Sequence, residues 1–119
     1  QFSVFPNTGF YGYYAGSNCH ILDDLALNDP LLSRLPARKE WRIGHFKRKI
    51  PEGYEETLKS GINRIKNSNL ARYYDKLAVI TQGNLLGINR LKAIWEINTG
   101  QLNYFIERFI ITYKNKNQN

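Results

Sequence analysis

The segment from residue 41 to residue 54, WRIGHFKRKIPEGY, concentrates the side chains that could bind a charged ligand. Its cations alternate with rings, so Arg42 or Arg48 could hold a phosphate group in a fork while Trp41 stacks on a sugar. The same chemistry would suit a nucleic-acid strand or a surface that faces lipid headgroups. The plainer alternative is that Trp41 and Phe46 anchor the core while the cations face solvent.

We predict that substrate binding depends on residues with a ring, a cation or a carboxylate, in this segment or in the N-terminal part of the chain. They are Trp41, Arg42, His45, Arg48 and Tyr54, with Tyr13, Tyr14 and Asp24 as weaker candidates. The sequence contains no phosphate-binding glycine loop, no dinucleotide fingerprint and no zinc-ligand spacing. We therefore predict no catalytic residue, no metal and no cofactor for this chain.

The densest group of carboxylates, Asp23, Asp24 and Asp29, could in principle supply an acid–base pair for chemistry on sugars. Structural roles explain these residues more simply. Asp29 precedes a proline and is expected to cap a short helix, while Asp23 or Asp24 bonds to the backbone or to a nearby arginine. A metal site that joins one of them to His20 and His45 is disfavoured, because the two histidines lie far apart in the sequence.

Hydrophobic periodicity and capping residues predict a mostly α fold of four to five helices. The irregular N-terminal third has room for one or two short strands. The stretch Asn67–Asn69 supplies the N-cap of one helix, and Gly61 follows the last turn of another. The predicted helices are Pro51–Gly61, Leu70–Thr81, Ile88–Asn98 and Gln101–Tyr113, together with the short Leu31–Leu35. Leu91, Ile94 and Trp95 form the apolar stripe of the helix that begins at Ile88.

The N-terminal third is rich in aromatic residues and glycine. Alternation at Phe2–Val4 could start a strand. The apolar run His20–Leu27 could be a strand that ends at Asp23 or a strand that runs into a helical turn. The glycine–aromatic alternation of Gly9–Gly16 predicts a loop whose rings pack onto another surface. These rings could be a lid on the domain's own helices or a platform that stacks on sugar or lipid.

Length and composition limit the kind of protein this is. The chain has 119 residues and a net charge of +7, which favours anionic partners or simply a basic solvated surface. We predict one globular domain over residues 1–113 and a polar tail over residues 114–119. Cys19 is the single cysteine, so an intramolecular disulfide is excluded. The chain contains no methionine, and we expect it to be a domain of a longer protein.

Seven segments of the chain, taken in order, form a recognisable pattern: Tyr14–Gly16, His20–Asp23, Leu27–Leu32, Trp41–Phe46, Ile50–Tyr54, Tyr73–Leu77 and Ile94–Gly100. They resemble the C-terminal soluble region of bacterial membrane glycosyltransferases of the GT-C type. The similarity is greatest to terminal arabinofuranosyltransferases that use a polyprenyl-phosphate sugar donor, and it extends over nearly the whole chain.

The resemblance implies a parent enzyme with many transmembrane helices ahead of Gln1. In such enzymes the active site lies at the outer face of the membrane, and its catalytic Asp belongs to an early extracytoplasmic loop outside this chain. The resemblance therefore implies an extracytoplasmic, periplasmic domain that is inactive alone and shapes the acceptor groove or stabilises the membrane part. The implied partners are a lipid-linked sugar phosphate or a glycan acceptor, and the membrane through the N-terminal part of the parent.

Two other functions fit the sequence. A non-enzymatic helical module could bind a protein partner through the aromatic N-terminal third, and an exposed apolar patch there would support it. A basic nucleic-acid-binding domain would bind DNA or RNA in a salt-dependent manner. We rank that function last and do not expect nucleic acid as a partner, because the basic segment contains no recognised nucleic-acid motif.

Overall fold

The structure, a computed structural model, describes residues 1–6, 8–39 and 43–116. The chain is 51% helical, and the only sheet among the described residues is a short two-stranded one, so the predicted mostly α class is confirmed. The elements are β1 (Phe2–Val4), α1 (Thr8–Ala15), β2 (His20–Leu22), a 3₁₀ helix (Leu32–Arg34), α2 (Tyr54–Ser60), α3 (Ser68–Gln82), α4 (Ile88–Asn98) and α5 (Asn103–Lys116).

The contacts of the chain form two compact units, Gln1–Ile50 and Pro51–Asn119. The sequence predicted one domain over residues 1–113, whereas the contacts divide the chain within the segment 41–54, between Ile50 and Pro51. Helix α5 reaches Lys116 and so extends into the predicted polar tail. No helix in the described part of the chain combines the length and the apolar character needed to cross a membrane.

The first unit begins with a β–α–β arrangement. Strands β1 and β2 pair in parallel, with Phe2 opposite His20 and Val4 opposite Leu22. A parallel pair requires a crossover between its strands, and α1 supplies it. The loop predicted for Gly9–Gly16 is therefore wrong, because the crossover is helical despite its glycines.

Tyr11 attaches helix α1 to β1 and to the residue that follows it. Its ring stacks on Phe5 with 4.4 Å between ring centroids. Its hydroxyl donates a hydrogen bond of 3.0 Å to Oγ of Ser3. Helix α1 has no buried residue, so this single side chain supplies much of its attachment. Gly16, with φ of +72°, ends the helix in a conformation that favours glycine.

The carboxylate of Asp23 organises the turn that follows β2. One oxygen accepts a hydrogen bond from the backbone N–H of Leu25 at 2.9 Å, and the other accepts from Leu27 at 3.0 Å. These bonds stabilise a turn in which Ala26 has a positive φ of 61°. The backbone role predicted for Asp23 or Asp24 is confirmed for Asp23.

The carboxylate of Asp29 binds the turn that precedes the 3₁₀ helix, whose N-cap residue is Leu31 and not Asp29 as predicted. Oδ1 of Asp29 accepts hydrogen bonds from the backbone N–H groups of Leu31 and Leu32 at 3.0 and 2.7 Å. The segment after it is a 3₁₀ helix, shorter than the helix predicted for Leu31–Leu35. Leu35 is already extended, as expected for a residue that precedes a proline.

In the second unit, α2 is bounded by two glycines in the left-handed conformation. Gly53 precedes the helix with φ of +83°, and Gly61 follows it with φ of +71°. A Cβ atom at Gly53 would collide with the carbonyl group of Arg64, so this position requires glycine twice over. The buried hydroxyl of Thr57 accepts from the backbone N–H of Arg64 at 2.8 Å and donates to the carbonyl of Gly53 at 2.7 Å.

Helix α3 is the centre of the second unit and packs against both α4 and α5. Its N-cap lies in the predicted stretch Asn67–Asn69 and is Asn67. The side chain of Asn67 accepts a hydrogen bond from Leu70 N–H at 3.0 Å. A further link joins α3 to α4, where Lys76 Nζ lies 2.7 Å from a carboxylate oxygen of Glu96. The buried apolar residues of the three helices and of the turn between α4 and α5 are Leu70, Tyr73, Tyr74, Leu77, Ala93, Leu102 and Phe105.

Helix α4 has the predicted bounds but an unexpected orientation. The residue that it buries is Ala93, which is 1% exposed, whereas Leu91 and Trp95 are 52% and 67% exposed. Ile94 is partly buried. Leu91 and Trp95, two of the three residues in the predicted apolar stripe, therefore face solvent, because the buried face of α4 is the one that carries Ala93.

Candidate functional site

The basic segment of the first unit lies against the acidic turn that follows β2. Lys47 Nζ is 2.8 Å from Oδ2 of Asp24. The backbone N–H of Arg48 donates a hydrogen bond of 2.7 Å to the carbonyl oxygen of Asp24. Arg48 also forms an antiparallel bridge with Ala37. The structure thus brings together two predicted site residues, Asp24 and Arg48, from distant parts of the sequence.

Two buried polar atoms of these residues have no hydrogen-bond partner among the residues that the structure describes. They are Oδ1 of Asp24 and Nε of Arg48. A buried polar group without a partner costs about 1–3 kcal/mol, and such groups are rare in folded proteins. Because the two residues adjoin, this corner of the first unit holds one unused acceptor and one unused donor.

His45 lies in the same basic segment and is partly exposed. Its Nδ1 is 3.2 Å from the carbonyl oxygen of Ile43, so one ring nitrogen interacts with the neighbouring backbone. Trp41 and Arg42, the two leading candidates from the sequence, lie outside the described residues.

Tyr54 belongs to the second unit. Its side chain is 1% exposed, and its ring packs edge-to-face with Tyr74 at 5.7 Å between centroids. A ring with no exposed face cannot stack on a sugar. The prediction that Tyr54 binds substrate is therefore corrected, because its ring forms part of the core around α2 and α3.

Helix α1 presents the other two predicted tyrosines to solvent. Tyr13 and Tyr14 are 81% and 79% exposed, and their rings meet edge-to-face at 5.3 Å between centroids. Phe10, one helical turn earlier, is 85% exposed. We name these three residues the α1 ring cluster. The sequence reasoning missed Phe10, although a spacing of three and four residues from Phe10 to the tyrosines would have indicated it in a helix.

The histidine and cysteine side chains near β2 have structural surroundings. The ring of His20 stacks on Phe2 at 5.6 Å between centroids. Sγ of Cys19 lies 3.9 Å from the carbonyl oxygen of His20. In the described ranges, no three His, Cys, Asp or Glu side chains are grouped closely enough to hold a metal ion.

Comparison of the chain with protein-family models, with curated proteins and with solved structures found no match. A functional interpretation must therefore start from the chain's own residues and their geometry. Two features of the first unit qualify: the α1 ring cluster, and the corner formed by Asp24, Lys47 and Arg48.

Proposed function

We propose that the chain is a binding domain, without catalytic residues of its own, of a bacterial membrane glycosyltransferase that uses a polyprenyl-phosphate sugar. In this proposal the first unit contacts the glycan acceptor or the lipid-linked sugar phosphate on the extracytoplasmic side. The observation that carries the binding role is the α1 ring cluster, three large rings that are each about four-fifths exposed.

The α1 ring cluster has no role in the core to explain it. Helix α1 buries none of its residues, and Tyr11 is the ring that attaches it to β1. Leaving three rings in water forgoes the hydrophobic free energy that their burial would provide. Aromatic rings also pack well on the C–H faces of sugar rings, and a tyrosine hydroxyl can bond to a sugar hydroxyl. A glycan could therefore bind with its sugar rings packed against the exposed rings of the α1 ring cluster.

The charge of the first unit supports a ligand that carries phosphate. Residues 1–50 contain seven lysines and arginines against four aspartates and glutamates. Arg38, Lys39 and Lys47 are exposed. Cations of this kind attract a phosphate group, and an arginine can bind it through two hydrogen bonds. Nε of Arg48 and Oδ1 of Asp24 have no hydrogen-bond partner among the described residues. In this proposal, ligand binding gives these two atoms new hydrogen bonds.

The class of parent enzyme is supported by the resemblance of the sequence segments named above. If the parent is an enzyme of this class, its gene encodes several transmembrane spans upstream of Gln1. A reading frame that began immediately before Gln1 would contradict the parent class. In the full-length enzyme, Trp41→Ala or Arg42→Ala should lower sugar transfer while expression is retained, and unchanged transfer would contradict their assignment.

The binding role can be tested on this chain by NMR titration with a short-chain polyprenyl-phosphate pentose. We expect amide shifts in residues 8–16 and 43–50, which the double variant Tyr13→Ala/Tyr14→Ala abolishes. Tyr104→Ala is the matched control, because Tyr104 is also exposed but belongs to α5. Shifts that persist in the double variant, or no shifts at all, would refute a sugar site on α1.

A protein-interaction module is the second candidate, and the same exposed rings favour it. Val4, Phe5, Leu27 and Ile43 of the first unit are also exposed. An exposed apolar patch of this kind is common where proteins meet. The two candidates are separable by competition: a protein partner captured through α1 and not displaced by the sugar phosphate would favour the interaction module.

A further inference from the structure

We propose that the second unit docks on an anionic lipid surface through an apolar patch at the start of α4. The patch, named the α4 patch below, consists of Leu85, Leu86, Ile88, Leu91 and Trp95. The proposal is independent of the sugar-binding role of the first unit. It rests on residues that belong to a different unit of the chain.

The α4 patch extends from the turn before α4 along one face of the helix, and its side chains are exposed throughout. All of its side chains are more than half exposed, and Leu86 is 90% exposed. Ile88, Leu91 and Trp95 follow the three- and four-residue spacing that places side chains on one face of a helix. Ala93 lies on the opposite face of the helix and is buried. With that face against the core, Ile88, Leu91 and Trp95 face solvent.

The turn that carries Leu85 and Leu86 is held by hydrogen bonds. The side chain of Asn84 accepts from the backbone N–H of Leu86 at 3.0 Å, and its carbonyl accepts from Gly87 N–H at 3.1 Å. The guanidinium of Arg90 donates to the carbonyl oxygens of Ile80 and Leu85 at 2.8 and 3.1 Å. Leu85 and Leu86 therefore lie in a turn whose backbone is held in place by several hydrogen bonds.

The composition of the α4 patch suits a lipid surface. Leucine and isoleucine side chains enter the acyl region, and tryptophan prefers the boundary between headgroups and acyl chains. Lys92 lies on the exposed side of α4, where its Nζ is 4.0 Å from Oε1 of Glu96 and its side chain is 70% exposed. A lysine in this position can place its ammonium group among headgroups while its methylenes lie along the apolar surface.

Charge selects an anionic surface over a second copy of the chain. Residues 51–119 contain ten lysines and arginines against six aspartates and glutamates. Glu96 is the only acidic residue between residues 84 and 98, and it is mostly buried beside Lys76. Two copies that met through this face would each bring a net charge of +7, whereas phosphatidylglycerol headgroups would attract it.

The test is binding to vesicles of phosphatidylcholine, with and without phosphatidylglycerol, measured by co-sedimentation and by tryptophan emission. Trp41→Phe serves as the background, so that Trp95 supplies all of the emission. We expect binding to the anionic vesicles with a blue shift of that emission. Leu86→Ser should weaken binding about tenfold, since burial of one leucine contributes about that factor.

Ile62→Ser is the matched control, because Ile62 is exposed in the second unit but lies outside α4 and its preceding turn. It should bind the vesicles as the unsubstituted chain does, and so should Tyr13→Ala/Tyr14→Ala. Circular dichroism should show the same helicity for all variants. The proposal is overturned if no variant binds, if Leu86→Ser binds unchanged, or if neutral vesicles bind equally well. Sedimentation that shows a dimer dependent on Leu86 would also overturn it.

Discussion

Oδ2 of Asp24 lies 2.8 Å from Nζ of Lys47, and the backbone of the next residue, Arg48, bonds to the carbonyl of Asp24. One aspartate thus holds the basic segment both through its side chain and through its main chain. The carboxylate is 11% exposed and the lysine 47%, so the pair is neither a surface salt bridge nor a fully buried one.

Asp24→Asn should destabilise the first unit by about 1–2 kcal/mol, between the values typical of surface pairs and of buried pairs. The variant keeps the shape of the side chain and removes its charge. Urea unfolding followed by the amide signals of residues 20–50 would measure the loss. Lys59→Gln is the control, because Lys59 pairs with Glu55 across one exposed helical turn at 3.4 Å. Equal losses in the two variants would show that burial of Asp24 adds nothing.

Gly53→Ala should be among the most destabilising small substitutions in the second unit. A Cβ at this position meets the backbone of Arg64, and φ is +83°. We expect a loss of more than about 2 kcal/mol in thermal or urea unfolding. Gly61→Ala isolates the conformational part of this effect, since φ is +71° there and no atom lies within 4 Å of the added Cβ. Its loss should be about 1 kcal/mol, and a similar loss at both sites would contradict the steric argument.

Thr57→Val tests the hydrogen bond that joins α2 to the following turn. The substitution keeps the shape of the side chain but leaves the backbone N–H of Arg64 without its acceptor. Loss of a buried acceptor should cost about 1–3 kcal/mol. Thr112→Val, in which an exposed hydroxyl bonded to the Arg108 carbonyl is removed, should change stability by less than about 0.5 kcal/mol. Unfolding midpoints of the two variants that coincide would exclude a stabilising role for Thr57.

Local signals explain what the sequence could predict. The bounds of α4, the N-cap within Asn67–Asn69 and the helix end at Gly61 depend on a few adjacent residues, and the structure confirms them. Periodicity also identified the apolar stripe of α4. It could not show that buried Ala93 would leave Leu91 and Trp95 in solvent, because that depends on which helix packs against which face.

Non-local pairing explains the principal errors. Helix α1 contains two glycines, which disfavour a helix locally, but the parallel pairing of β1 and β2 imposes a crossover between them. Tyr54 is the last residue of the segment 41–54, so the sequence alone does not distinguish a ring in a ligand site from a ring in the core. The first residue of α2 turned out to be a core residue. The contact between Asp24 and Lys47 likewise joins segments that local patterns do not connect.

The α1 ring cluster leads to a prediction that separates stability from binding. Tyr13→Ala and Phe10→Ala remove rings that are about four-fifths exposed, so each should change the free energy of unfolding by less than about 0.5 kcal/mol. Tyr11→Ala removes the stacking on Phe5 and the hydrogen bond to Ser3, and should cost about 2 kcal/mol or more.

Urea unfolding of the first unit, monitored by the amide signals of residues 2–22, would measure these three losses. Binding of the sugar phosphate by the same variants would then be measured by the NMR titration described above. If the exposed rings bind the ligand, Tyr13→Ala and Phe10→Ala should lose sugar-phosphate binding while the free energy of unfolding stays unchanged. Tyr11→Phe keeps the ring that stacks on Phe5 and should still bind the sugar phosphate. Large destabilisation by Tyr13→Ala would show that its ring supports the fold, and the binding role of α1 would lose its physical basis.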